Sequence, residues 1–141
     1  MEPYIKKFSE ISINDVASVG GKNASLGEMY NKLSSKGIRV PDGFATTSYA
    51  FKKFLEFNKI TDALHQVLSS LDKKDYSNLD EVSAKARALM TDAKMPDEIS
   101  ETIIQHYHDL CGGKPIEVAV RSSATAEDLP NASFAGPHES Y

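Results

Sequence analysis

Apolar positions recur at helical spacing through most of this chain and switch to strict alternation in one short stretch. Leu26, Met29, Tyr30 and Leu33 stand at i, i+3, i+4 and i+7, which predicts an amphipathic helix over residues 22–36. Gly37 is placed to end it. Ahead of it, Ile5, Phe8, Ile11 and Ile13 anchor a short mixed segment that reads as a strand plus turn. Residues 40–47 read as an extended segment with a turn, since Pro41 keeps Val40 out of the helical region. Four further helical patterns follow. Thr47 or Ser48 can cap a helix running to Phe57. Ile60, Leu64, Val67, Leu68 and Leu71 form the next stripe, and Asp72-Lys73-Lys74-Asp75 a solvated loop. Ser77 or Asn78 can cap a helix striped by Leu79, Val82, Ala86, Leu89 and Met90. Pro96 suits the first turn of the last one, whose stripe is Ile99, Ile103, Tyr107 and Leu110 and whose end is Gly112-Gly113. Ile116, Val118 and Val120 then alternate with Glu117, Ala119 and Arg121, which predicts a strand over 116–121 with its apolar face inward. Residues 122–136 are small, polar and turn-rich; inside a compact domain such a stretch is functional or disordered.

Composition narrows the class. The chain has 141 residues, enough for one domain with a real core. Apolar residues make up 40% and charged residues 26%, the balance of a soluble globular protein. Sixteen basic against twenty acidic residues give a net charge of −4, too small to favour disorder. A pI near 5.5 argues against a broad nucleic-acid surface, though a phosphate needs only a few local cations. The apolar runs are too short to span a membrane, and the N-terminus lacks the apolar stretch of a signal peptide. With a single cysteine, Cys111, no internal disulfide can form, and the expected location is the cytoplasm. The stop at Tyr141, without a helix cap or polar tail, reads as a cut through a larger domain.

Three stretches could carry chemistry. In Val19-Gly20-Gly21-Lys22-Asn23-Ala24-Ser25-Leu26, two glycines let backbone amides approach a ligand, a helix start faces the same spot, and Lys22 adds a charge. That is an anion site in physical terms, and equally a plain loop-to-helix junction with an exposed lysine. A P-loop is excluded, because its first glycine and its Ser or Thr positions hold Val16 and Asn23. Arg121 ends the alternating segment and could clamp a phosphate through two parallel hydrogen bonds, or pair with Glu117, Glu127 or Asp128. The loop Ala132-Ser133-Phe134-Ala135-Gly136, with Pro137-His138-Glu139-Ser140, fits a phosphate flap or an ordinary surface loop. His106 and His108, two apart on a helix, sit about 200° around and cannot share a metal. His65 is expected to face solvent, and no zinc or calcium motif is present.

Four ordered segments together resemble one family. They are Val19-Gly20-Gly21-Lys22-Asn23-Ala24-Ser25-Leu26-Gly27-Glu28-Met29; Val40-Pro41-Asp42-Gly43-Phe44-Ala45-Thr46-Thr47; Val118-Ala119-Val120-Arg121-Ser122-Ser123-Ala124-Thr125-Ala126-Glu127-Asp128; and Ala132-Ser133-Phe134-Ala135-Gly136. They resemble the N-terminal nucleotide-binding region of the phosphoenolpyruvate synthase (pyruvate, water dikinase) family. Pyruvate phosphate dikinases and rifampicin phosphotransferases share the pattern more loosely. The resemblance implies an α+β fold over residues 1–141: the first subdomain of an ATP-grasp fold, helices packed on a small sheet, truncated at its C-terminal end. It implies ATP as ligand, with Mg2+ held by acidic residues outside this chain, and a reaction of ATP, pyruvate and water that passes through a phosphohistidine on another domain. Pyruvate would likewise be met by domains absent here. The family's triphosphate-contacting lysine falls on Lys22 and its arginine on Arg121, with loop contacts at Gly136 and Ser140. One departure stands out: Pro137 occupies the place of the family's glutamine, and proline lacks both the side-chain amide and the backbone N–H. The alternatives are the matching part of a rifampicin phosphotransferase, or a non-catalytic helical interaction module.

Overall fold

A two-stranded antiparallel ribbon, β1 (Ile5–Lys7) against β2 (Phe44–Thr46), organises the first part of the molecule in a computed structural model that describes residues 2–126 and the backbone of 128–129 and 132–133. Ile5 lies opposite Thr46 and Lys6 opposite Ala45. Ile5 and Ala45 therefore point to opposite faces, and both are buried, so both faces of the ribbon are covered. An isolated hairpin is marginal in water. Here Ala45 joins Phe8, Ile11, Val19 and Ala24 in a core cluster, with Val16, Leu26 and Tyr30 packed against it.

The chain divides into two compact units, Met1–Phe51 with Glu98–Tyr141, and Lys52–Asp97. In the first, two 3-10 turns, Phe8–Glu10 and Ile13–Asp15, follow β1. Phe8 N–H donates to the Gly43 carbonyl at 2.9 Å, which ties the turn to the approach of β2. Ser12 and Asp15 form a reciprocal box: Asn14 N–H donates to Ser12 Oγ, and Ser12 N–H to Asp15 Oδ2 at 2.8 Å. A short helix α1 (Val16–Val19) leads through Gly20 into α2 (Gly21–Leu33).

The face of α2 that is buried differs from the stripe its apolar residues suggest. Gly21, Ala24 and Gly27 are buried, whereas Met29 is exposed. Small residues face inward because the 8–11 segment lies directly against the helix. A Cβ on Gly27 would fall 2.5 Å from Ile11 Cβ, and Asn31 Nδ2 reaches the carbonyls of Phe8 and Ile11 at 3.1 and 3.0 Å. Past a 3-10 turn at Ser34–Lys36, Gly37 takes the left-handed conformation (φ 77°) and ends the helix, as its position predicts.

Among the described residues of this unit, Thr47 is the buried polar one and has its partners. Its hydroxyl donates to the Pro3 carbonyl at 2.7 Å and accepts from Ala50 N–H at 3.2 Å, which caps α3 (Ser48–Phe57). The last helix, α6 (Asp97–Cys111), buries Ile99 and follows Pro96; Gly112 and Gly113, both at positive φ, close it.

In the second unit, α4 (Thr61–Ser69) lies against α5 (Leu79–Thr91). Two asparagines clip the pair at its ends. Asn58 exchanges two 2.9 Å bonds with the Lys94 backbone, and Asn78 accepts from Asp72 N–H and donates to the Ser70 carbonyl, each at 2.8 Å. Asn78 thus occupies the predicted cap position of α5 but makes no side-chain cap bond, because its amide is engaged by the loop before it.

The predicted strand at 116–121 is not formed. Ile116, Val118 and Val120 are 44%, 44% and 60% exposed, and within the segment only Arg121 forms a β-bridge. The sheet on which helices were expected to pack is β1–β2 instead. Alternation specifies which side chains share a face but supplies no partner. Among the described residues the segment is held by Tyr107, whose hydroxyl donates to the Ile116 carbonyl at 3.0 Å and accepts from Ile116 N–H at 3.3 Å. Farther on, β3 (Asp128–Leu129) and β4 (Ala132–Ser133) pair antiparallel inside the stretch read as irregular.

The Lys6–Asp15 ion pair, 2.7 Å long and about three quarters buried at each end, gives an acid-sensitive tie between β1 and the second 3-10 turn. The Lys6 hydrogen bond, then the Ser12 N–H, hold Asp15 well below its ordinary 3.8, at about 2. A depressed folded-state value makes the contribution complete above pH 4 and lost as pH falls through about 2. It amounts to about 1–2 kcal/mol after solvent screening of a partly exposed pair. Denaturant midpoints measured from pH 5 to pH 2 should fall more steeply for the natural chain than for Asp15→Asn. Parallel curves would remove the pair from the acid response.

Candidate functional site

Two of the sequence-predicted stretches meet. Gly20 sits at φ 84° between α1 and α2, a conformation that an L side chain rarely adopts. The space a Cβ would need there is taken by Ser123 Oγ and by the Ala124 carbonyl, the latter at 2.9 Å. Two hydrogen bonds fix the approach. Ser123 Oγ donates to the Val19 carbonyl at 3.0 Å, and Gly21 N–H donates to the Ala124 carbonyl at 3.3 Å. Asn23 Nδ2 donates to the same Val19 oxygen at 2.8 Å, so that carbonyl uses both lone pairs.

This junction places Lys22, in the first turn of α2, one residue from a contact whose other side is three residues past Arg121. The two cations are 99 positions apart in sequence, and both side chains are exposed. The glycine pair was expected to bring backbone amides up to a ligand. In the structure its nearest neighbour is the 123–124 backbone and side chain, and the Gly21 amide is already donated. The glycines therefore join the lysine-bearing turn to the arginine-bearing loop. Ser123, Ala124 and Asn23 are the members that residue-type reasoning missed. For Ser123 and Ala124 the signal was their small size, which together with the missing Cβ of Gly20 permits so close a docking.

Glu28 has a structural task. It accepts from Ile13 N–H at 3.2 Å and pairs with Lys32, and the Lys32 ammonium, then that N–H, hold its carboxyl below the usual range. Gly136, Pro137, His138 and Ser140 lie outside the described residues. Among the described residues, no group of three or more His, Cys, Asp or Glu side chains is arranged to hold a metal, and no helix is long and apolar enough to cross a membrane. His106 instead turns Nδ1 to the Thr102 carbonyl at 2.8 Å and packs beside Phe44. A separate open groove of about 520 Å3 lies between α4 and α5, lined by Ile60, Val67, Leu89, Lys85 and Asp92 among others; Lys22 and Arg121 do not contribute to it.

Residues 16–141 match the family model described as pyruvate phosphate dikinase, AMP/ATP-binding domain. The chain is 45% identical over 141 residues to a phosphoenolpyruvate synthase of Synechocystis sp., covering 95% of this chain and 17% of that protein. It is 44% identical over 141 residues to the phosphoenolpyruvate synthase of Neisseria meningitidis, covering 98% and 18%. For the Escherichia coli phosphoenolpyruvate synthase the identity is 41% over 140 residues, covering 99% and 18%. The chain thus spans less than a fifth of the length of these relatives.

Proposed function

The chain belongs to the pyruvate phosphate dikinase AMP/ATP-binding domain family, and from that premise we propose that it is the ATP-binding portion of a phosphoenolpyruvate synthase. The whole enzyme would convert ATP, pyruvate and water to AMP, phosphoenolpyruvate and phosphate through a phosphohistidine. The observation that carries the reading is the junction of Gly20 and Gly21 with Ser123 and Ala124, which brings the Lys22 and Arg121 motifs to one locality. Lys22 and Arg121 would neutralise charge on the β- and γ-phosphates and orient the terminal group for transfer, an electrostatic role. Lysine suits this as a compact point charge and arginine as a planar fork. Gly136 and Ser140 would complete the phosphate contacts. The proposed architecture is the first subdomain of an ATP-grasp fold in a cytoplasmic enzyme. Magnesium would arrive with the triphosphate, held by residues other than the described ones, and pyruvate would be handled elsewhere in the enzyme.

Titration of the chain with ATP, followed by amide NMR, tests the reading. Two charge-assisted contacts contribute about 3–6 kcal/mol before ordering costs are subtracted. A surplus near 4 kcal/mol corresponds to about millimolar affinity. Shifts should concentrate at residues 20–23 and 121–124, with no AMP released by the chain alone. Shifts confined to the α4–α5 groove, or none at all, would reject the assignment.

A further inference from the structure

We propose that Ser123 is a positioning residue, a latch that holds the Arg121 loop against the Lys22 turn so that both cations address one phosphate group. The function of the latch rests on the nucleotide reading above; its geometry stands apart from it. Among the described residues, the Ser123 hydroxyl ties the two segments together through the Val19 carbonyl at 3.0 Å. Gly21 N–H to the Ala124 carbonyl, at 3.3 Å, is the adjoining backbone tie and is the longer of the two. Gly20 is the recess that admits the hydroxyl, since any Cβ there would collide with Ser123 Oγ and the Ala124 carbonyl.

The chemistry at Val19 makes this a latch and not a foundation of the fold. Its carbonyl also accepts from Asn23 Nδ2 at 2.8 Å. Removing the serine hydroxyl leaves that oxygen with a partner, so no buried acceptor is orphaned. The core cluster of Phe8, Ile11, Val19, Ala24 and Ala45 does not include Ser123. Loss of the latch should free the loop while the fold stays intact. Arg121, two residues before the hydroxyl, would then sample positions away from Lys22, and ordering it again on binding would weaken affinity.

The test compares the natural chain with Ser123→Ala, and with Gly20→Ala as an approach from the other side of the recess. Three readouts are taken: the exchange rate of the Gly21 amide, the ATP dissociation constant, and the coupling between Lys22→Ala and Arg121→Ala in each background. In Ser123→Ala the Gly21 amide should exchange about tenfold faster or more, ATP should bind about tenfold more weakly, and the coupling should vanish, with an unchanged thermal midpoint. A merely structural role would lower the midpoint and leave the coupling in place. If Gly20→Ala does not fold, Ser123→Ala alone decides. Gly21 exchange within twofold of the natural rate overturns the latch. Faster exchange with unchanged ATP affinity or persistent coupling overturns its positioning role. A natural chain that binds no ATP rejects the nucleotide reading and with it that role, while the exchange rates still report whether the latch exists.

Discussion

Gly27→Val should remove most of the stability of the unit built on β1, β2 and α2, and Gly27→Ala a substantial part of it. Two effects oppose each other at this position. Replacing a helical glycine by alanine gains about 1 kcal/mol from backbone entropy. Against that, the new Cβ meets Ile11 Cβ at 2.5 Å, Cγ2 at 2.6 Å and the Ile11 carbonyl oxygen at 2.7 Å. The Ile11 side chain is 1% exposed and has no room to rotate away. The carbonyl is backbone and accepts from Asn31 Nδ2 at 3.0 Å, so the 8–11 segment would have to move as a body. Overpacking costs about 1–3 kcal/mol where side chains can adjust, and more where backbone must shift. The clash wins, with a net loss of about 2 kcal/mol for alanine and more for the branched side chain. Ser25→Ala, at an exposed position of the same helix, serves as the control and should be neutral or slightly stabilising. Urea denaturation of the three variants checks the order. A Gly27→Ala chain as stable as Ser25→Ala would mean that the 8–11 segment yields without cost.

That contact also marks the limit of what the residue pattern could convey. Helix positions were legible where one side chain decides them. Gly37 stops α2 because it can adopt φ 77°, and Thr47 starts α3 because its hydroxyl can accept from Ala50 N–H. The buried face of α2 was not legible. Hydrophobic counting weights Met29, which is exposed, and ignores Gly21 and Gly27, whose value lies in what they allow to come near. Alternation at residues 116–121 misled for a related reason: it records a face, and the segment has no continuous ladder among the described residues. Of the candidate site, Lys22 and Arg121 were found as chemistry-bearing residues in motifs. The connection between them depends on Ser123, Ala124 and the Val19 carbonyl, two small residues and a backbone atom. None of these has a chemical type that announces a site.

ATP binding should respond non-additively to the loss of Lys22 and Arg121. Each charge-assisted contact to phosphate contributes about 1.5–3 kcal/mol, so either Lys22→Ala or Arg121→Ala should weaken binding by about one to two orders of magnitude. From a starting affinity near millimolar, that places each single variant at about ten to a hundred millimolar, where the initial slope of shift against ATP concentration measures the affinity without saturation. If the two side chains grip the same phosphate group, removing one lets the triphosphate shift and degrades the other contact. The double variant should then lose less than the sum of the single losses, with a coupling of about 0.5–3 kcal/mol. Residues with no shared partner add to within about 0.5 kcal/mol. The junction at Gly20, Gly21, Ser123 and Ala124 is the physical reason to expect coupling between positions so distant in sequence. Salt supplies an internal check, since raising ionic strength should weaken the natural chain more than either variant. The cycle is best run at low ionic strength, with ATP, ADP and AMP as separate titrants. Sensitivity to both substitutions should decline from ATP to AMP, because the β- and γ-phosphates are the groups assigned to these cations. Additive losses, or an AMP affinity that depends on Lys22 as strongly as the ATP affinity does, would separate the two side chains and return Arg121 to the role of an ordinary surface cation.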